Sequence, residues 1–156
     1  KRTDLFAELP MSTERKYLEG QVVLVGYGRV GRRIAQELTV HDIPFVVAEQ
    51  NREVVERLRK EGVPAVSGNA AEPSVLIQAH IANASMLVVA TPDTIDVRKM
   101  VDTAKALKPE IRIVLRTHSE DESELLQKDN LGTVFYGEEE LANGMSKFVV
   151  SHFAPK

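Results

Sequence analysis

Three glycines set the first chemical constraint. Gly26-Tyr27-Gly28-Arg29-Val30-Gly31 has the spacing GxGxxG. It directly follows the apolar run Val22-Val23-Leu24-Val25 and opens a segment in which Val30, Ile34 and Leu38 recur at helical spacing. That context, a strand end turning into a helix start, suits anion binding. Gly26 permits the tight turn, Gly28 lets the backbone approach a phosphate with no Cβ in the way, and Gly31 lets the helix pack closely on the strand. Unpaired N–H groups and the positive end of the helix dipole then face the anion. Eighteen residues after Gly31, Glu49 ends a second apolar run, Phe45-Val46-Val47-Ala48. A carboxylate there can accept hydrogen bonds from both ribose hydroxyls of an adenosine, and it repels a 2′-phosphate. Gln50 borders the adenine in this reading. Arg52, two residues on, could instead attract a 2′-phosphate, so the sequence leaves NADP open.

Further candidates stand at the carboxyl ends of other expected strands, the edge at which such sheets take ligands. Gly68-Asn69-Ala70 follows Ala65-Val66-Ser67, Thr91-Pro92 follows Met86-Leu87-Val88-Val89-Ala90, and Arg116 ends Ile111-Arg112-Ile113-Val114-Leu115. Gly68 to Ala70 could flank an adenine, and Arg116 could reach a phosphate. Each also has a plain reading, respectively a turn, a helix cap and a solvated charge, and the residues alone leave both open.

The elements that must hold these groups alternate in type. Short runs, apolar throughout, suit parallel strands buried on both faces. Segments at helical spacing separate them: Val54, Val55 and Leu58; Val75, Leu76 and Ala79 after Pro73; Val97, Met100, Val101 and Ala104 after Pro92; and Leu125 with Leu126. Thr133-Val134-Phe135 is a sixth strand. A last helix after Gly137 carries Leu141, Met145, Phe148 and Val149 on one face. Five strand-helix-strand crossovers predict an α/β fold of Rossmann type. This is a doubly wound, parallel, six-stranded sheet of order 3-2-1-4-5-6 with helices on both faces. Residues 1–20 read as a linker or loose helix and residues 21–153 as one domain. The chain opens on Lys1 and so reads as a piece of a longer protein.

Taken together, Gly26 to Gly31, Glu49, Gly68-Asn69-Ala70, Thr91-Pro92-Asp93 and Arg116 resemble the nucleotide-binding half of the RCK family, also called TrkA-N or KTN domains, over about residues 20–152. The likeness is to the cytoplasmic domain of Kef-type cation/proton antiporters. It implies NAD(H), AMP or a related adenine nucleotide as ligand, a homodimer, and a membrane-embedded antiporter domain earlier in the same full-length chain. It also implies a place on the cytoplasmic side of a bacterial inner membrane, where the domain would gate potassium/proton exchange. One departure is Asn69, where the family often carries Asp. An amide still hydrogen-bonds adenine or ribose but brings no charge.

Composition narrows the alternatives. With 156 residues, 43% hydrophobic and 28% charged, the chain suits one globular core. A net charge of -3 gives no nucleic-acid footprint. The absence of cysteine excludes disulfides, thiolate metal sites and cysteine nucleophiles. No apolar run approaches the roughly 20 residues of a bilayer span. No GxxxxGK[ST] or GxSxG motif is present. His41, His80, His118 and His152 lack metal-ligand spacing, so no metal is expected; His118 alone lies near the ligand edge, where it reads as a solvated loop residue. Glu138-Glu139-Glu140 suits the positive end of the last helix. The competing function is a fragment of an NAD-dependent oxidoreductase. Such an enzyme needs a substrate pocket and a proton-transfer residue, commonly from a second domain. Residues from Gln21 onward are consumed by the sheet and its helices, so no enzymatic activity is expected. The apolar stripe on the last helix either packs on the domain's own sheet or joins two subunits.

Overall fold

The computed structural model describes residues 5–91 and 96–155. Six parallel strands form one sheet: β1 (Val22–Val25), β2 (Phe45–Glu49), β3 (Ala65–Ser67), β4 (Met86–Val89), β5 (Arg112–Thr117) and β6 (Thr133–Tyr136). The order is β3-β2-β1-β4-β5-β6, as the alternating pattern predicts. In register, Val25 lies beside Ala48 on one side and Val89 on the other, which brings the ends of β1, β2 and β4 level. The chain reverses direction across the sheet between β1 and β4, and a crevice at the carboxyl edge results there.

Central strands are apolar at every position because both faces are covered. Val22, Leu24, Phe45 and Val47 pack with Ala35 of α1 (Arg29–Val40) and with Val55 and Leu58 of α2 (Arg52–Lys60). Val23, Val25, Val46 and Leu87 pack on the opposite side. Their partners there are Leu76 of α3 (Pro73–Gln78), Met100 and Val101 of α4 (Val97–Leu107), and Leu126 of α5 (Glu120–Lys128). The helix expected to open at Pro92 is described from Val97 onward; Pro92 lies outside the described residues.

Cover on the α1/α2 side stops short of the last two strands. There Arg112 is exposed, Val114 half-buried and Phe135 44% exposed. α6 (Gly137–Phe153) buries no residue at all. Its stripe of Leu141, Met145, Phe148 and Val149 stands in solvent, Phe148 at 78% exposure. Packing of that stripe on the domain's own sheet, one of the two sequence readings, is therefore not what this subunit does.

Residues 5–20, expected as a linker or loose helix, contain a single 3-10 turn, Arg15–Tyr17, and lie against the domain. Phe6 packs on the α1/α2 face, whereas Leu9 and Tyr17 pack on the other, so the segment wraps the edge of β3. The Ser67 N–H donates to the Phe6 carbonyl at 2.7 Å, capping an edge that would otherwise present free backbone groups.

Candidate functional site

The turn from β1 into α1 is shaped by its glycines. Gly26 has φ +95°, a left-handed conformation that L side chains resist, and a Cβ there would meet the Thr91 backbone N at 3.1 Å. A Cβ on Gly31 would stand 2.1 Å from the Gly26 carbonyl oxygen, so helix and strand approach as closely as backbone allows. Gly28, by contrast, has no atom of the described residues within 4 Å of its missing Cβ. It is the N-cap of α1 and offers no side chain to the first-turn N–H groups. A phosphate at a helix start can accept from such groups.

Glu49 ties the neighbouring loops together. Its Oε1 accepts from the Tyr27 N–H at 3.0 Å and its Oε2 from the Asn51 N–H at 2.5 Å. Its own carbonyl accepts from the Gly68 N–H at 3.1 Å. One residue thus joins the glycine loop, the turn before α2 and the loop after β3. Asn51 caps α2 through its side chain, which accepts from Glu53 N–H at 3.0 Å and Val54 N–H at 3.4 Å. Asn69 Oδ1 accepts from the Ala71 N–H at 2.9 Å. That bond engages the amide oxygen and leaves the amide hydrogens as donors, although Asn69 does not line the cavity that Gly68 and Ala70 line.

Of the residues singled out from sequence, Gly26, Glu49, Gln50, Gly68, Ala70 and Thr91 line one cavity of about 110 Å³ at the carboxyl edge. Gly28, Arg29, Val30 and Gly31 form the helix start alongside it. Tyr27 divides its roles. Its main chain belongs to the loop, while its ring faces a groove between α1 and α2, with the Arg32 guanidinium 6.0 Å from the ring centre. Arg116 of β5 does not line the carboxyl-edge cavity; one guanidinium N–H donates to the Ala90 carbonyl at 3.0 Å, at the end of β4. His118 is exposed. Pro92 is outside the described residues.

Arg52 is directed at the N-terminal segment. Its guanidinium lies 4.8 Å from the centre of the Phe6 ring, on the side of the N-terminal segment. Sequence reading missed two contributors. Met100 of α4 lines the same cavity; its helical spacing marks it as core, and nothing in that pattern distinguishes a residue at the end of the core from one inside it. Asn51 could have been found as a cap residue just before the α2 pattern. Among the described residues no cluster of His, Asp or Glu is arranged to hold a metal ion, and no helix is long and apolar enough to cross a membrane.

Residues 22–136 match the family model of the TrkA-N domain. The chain belongs to the TrkA-N domain family. Over 123 residues, 79% of its length, this TrkA-N domain is 39% identical to YbaL of Escherichia coli strain K12, a candidate cation/proton antiporter. The chain spans 22% of that protein's length. The crystal structure of the TrkA-N domain of the E. coli inner membrane protein YbaL matches with a TM-score of 0.78 at 37% identity. That match covers 83% of this chain and 96% of the other. The Kef CTD of Shewanella denitrificans, solved in an AMP-bound form, matches with a TM-score of 0.72 at 17% identity, covering 87% of this chain and 82% of the other. The GsuK channel bound to NAD matches at 0.67 and 24%, covering 85% and 23%. These last two likenesses speak to the fold alone.

Proposed function

We propose that this TrkA-N domain binds an adenine nucleotide, NAD(H) or AMP, across the carboxyl edge of its sheet, and serves as the regulatory domain of a cation/proton antiporter. The observation that carries this reading is the junction at Glu49. One carboxylate is bonded to the glycine loop and stands beside the start of a helix whose N-cap, Gly28, supplies no side-chain acceptor. A nucleotide laid there would put its phosphates over Gly28 to Gly31, its ribose hydroxyls on Glu49, and its base near Gln50 and Gly68-Asn69-Ala70. Arg116 would face the phosphates or a second half of the ligand. With Arg52 turned to Phe6, the carboxylate governs the ribose position, which favours a free 2′-hydroxyl over a 2′-phosphate.

In this reading the domain follows a membrane-embedded antiporter domain in one full-length chain. It lies on the cytoplasmic side of a bacterial inner membrane and passes nucleotide occupancy to potassium/proton exchange. Its working form is a homodimer. The exposed stripe of α6 is an apolar surface that a second copy would cover, and the bare side of β5 and β6 adds exposed Phe135 beside Arg112.

The test is calorimetric titration of the domain with AMP, NAD, NADH and NADP, followed by an NADH oxidation assay with added electron acceptors. Binding of AMP or NAD without turnover supports a sensor. Turnover, or a preference for NADP, removes it.

A further inference from the structure

The N-terminal segment is bound to the domain by more than adjacency. Arg59, half-buried on α2, gathers its carbonyls. Nη1 donates to Leu5 O at 3.0 Å, and Nη2 donates to Phe6 O at 3.3 Å and Glu8 O at 2.5 Å. Its Nε donates to Ala65 O of β3 at 2.8 Å, so one guanidinium joins α2, β3 and the segment. Two cations approach the Phe6 ring, Arg52 at 4.8 Å and Arg59 at 5.0 Å from its centre. Such contacts are directional and of useful strength at partly exposed sites.

These attachments meet the domain beside both loops of the adenosine site. Arg52 is the first residue of α2, immediately after the Glu49-Gln50-Asn51 turn. Ser67, whose N–H is held by the Phe6 carbonyl, immediately precedes Gly68-Asn69-Ala70. Gly68 is itself tied to Glu49 through its N–H. Contacts at residues 5–8 therefore fix the ends of the two segments that would hold ribose and base.

We infer that residues 5–9 are a strap whose docking on α2 and the edge of β3 is coupled to occupancy of the nucleotide site, so that each event strengthens the other. The inference rests on the nucleotide site proposed above. Docking orders loops 49–51 and 67–70 before the ligand arrives, and the bound ligand holds those loops in the form that receives the strap. Coupling of this kind is reciprocal by thermodynamic necessity. The segment that precedes the domain then carries the nucleotide signal, with no displacement of the sheet.

The test uses the whole chain with Leu5→Cys. This is its sole cysteine, and Leu5 is an exposed position, so a nitroxide placed there reports strap motion. The expected result is an immobilised label in the native background and a mobile one in Phe6→Ala and in Arg59→Gln. The AMP or NAD Kd rises about fivefold in both variants, and saturating nucleotide partly immobilises the label again. Thermal melts check folding, and Phe6→Leu, which keeps apolar bulk but removes the ring face, replaces Phe6→Ala if that variant fails to fold. A released label with unchanged Kd overturns the coupling, as does tighter binding in the variants. A mobile label in the native chain overturns the docking itself. Failure of the native chain to bind any adenine nucleotide removes the proposed ligand and the coupling together, whatever the label shows.

Discussion

Gly31→Ala and Gly28→Val form a pair that separates packing from ligand approach. At Gly31 a new Cβ would lie 2.1 Å from the Gly26 oxygen and 2.9 Å from its carbonyl carbon. Both obstacles are backbone, and Gly26 is itself seated against Thr91, so the chain cannot yield by a side-chain rotation. The gap must widen by about 0.9 Å to reach 3.0 Å, below which Cβ contacts essentially never occur. Overpacking of this kind costs about 1–3 kcal/mol, which for a domain of this size lowers Tm by roughly 3 to 10 °C. The same displacement lifts the start of α1 off β1, and nucleotide affinity should fall at least tenfold, since phosphate binding needs those N–H groups in register. At Gly28 no atom of the described residues stands in the way, and φ -82° suits any residue. Gly28→Val should therefore leave Tm within a few degrees of native while strongly weakening binding, because its side chain fills the volume assigned to phosphate. Differential scanning calorimetry and titration calorimetry on both variants read the two effects separately. If Gly31→Ala melts like the native chain, the close helix-strand contact is not what holds the loop. If Gly28→Val binds normally while folded, phosphate does not sit over Gly28.

Three further outcomes follow from other parts of the molecule. Glu49→Ala removes the acceptor of the Tyr27 and Asn51 N–H groups, and should weaken AMP and NAD by roughly tenfold to a hundredfold while weakening NADP less, at about 1.5–3 kcal/mol per charge-assisted bond. Equal affinities in native and variant, measured by competition binding, would leave Glu49 a loop-bracing residue that holds no ribose. The Tyr136 phenol, hydrogen-bonded to the Glu138 carboxylate at 2.6 Å, is pushed up from 10.0 to about 12. Its stabilising contribution is in place below pH 10 and is lost as pH rises through about 12, and ultraviolet titration should show Glu138→Gln ionising this phenol earlier. Phe148→Glu should convert a dimer at tens of micromolar to monomer in sedimentation without lowering the intrinsic melt of the subunit; a native chain already monomeric there would remove the dimer reading.

How far the sequence reached follows from how each part is stabilised. Strands buried on both faces must be apolar at each position, so Val22–Val25 and Phe45–Ala48 stood out, and the alternation with helices fixed sheet order. The glycine turn was legible because backbone geometry at Gly26 and Gly31 admits no substitute. The docking of residues 5–20 was not legible, because much of it runs to Arg59 through the Leu5, Phe6 and Glu8 carbonyls, which carry no sequence signal, and Phe6, Leu9 and Tyr17 pack on the core with no periodic spacing. The orientation of Arg52 was hidden for a different reason: its partner, the Phe6 ring, lies 46 positions away with no periodic relation to it. Tyr27 shows a different limit. Its position in the motif identified the loop, but a motif cannot say that its ring leaves the site for the groove between α1 and α2.

The bareness of α6 has a consequence for hydrogen exchange. A 17-residue helix with no buried side chain depends on local terms, which are marginal at that length, and Gly144 in its interior costs about 1 kcal/mol relative to alanine. Amides of α6 in a lone subunit should therefore open at low free energy, while those of β1 and β4 open only with the whole domain. Each burial of Phe148 and its neighbours would slow α6 exchange first. The protection of these amides, followed against protein concentration, is thus a local gauge of how often this end of the molecule is covered.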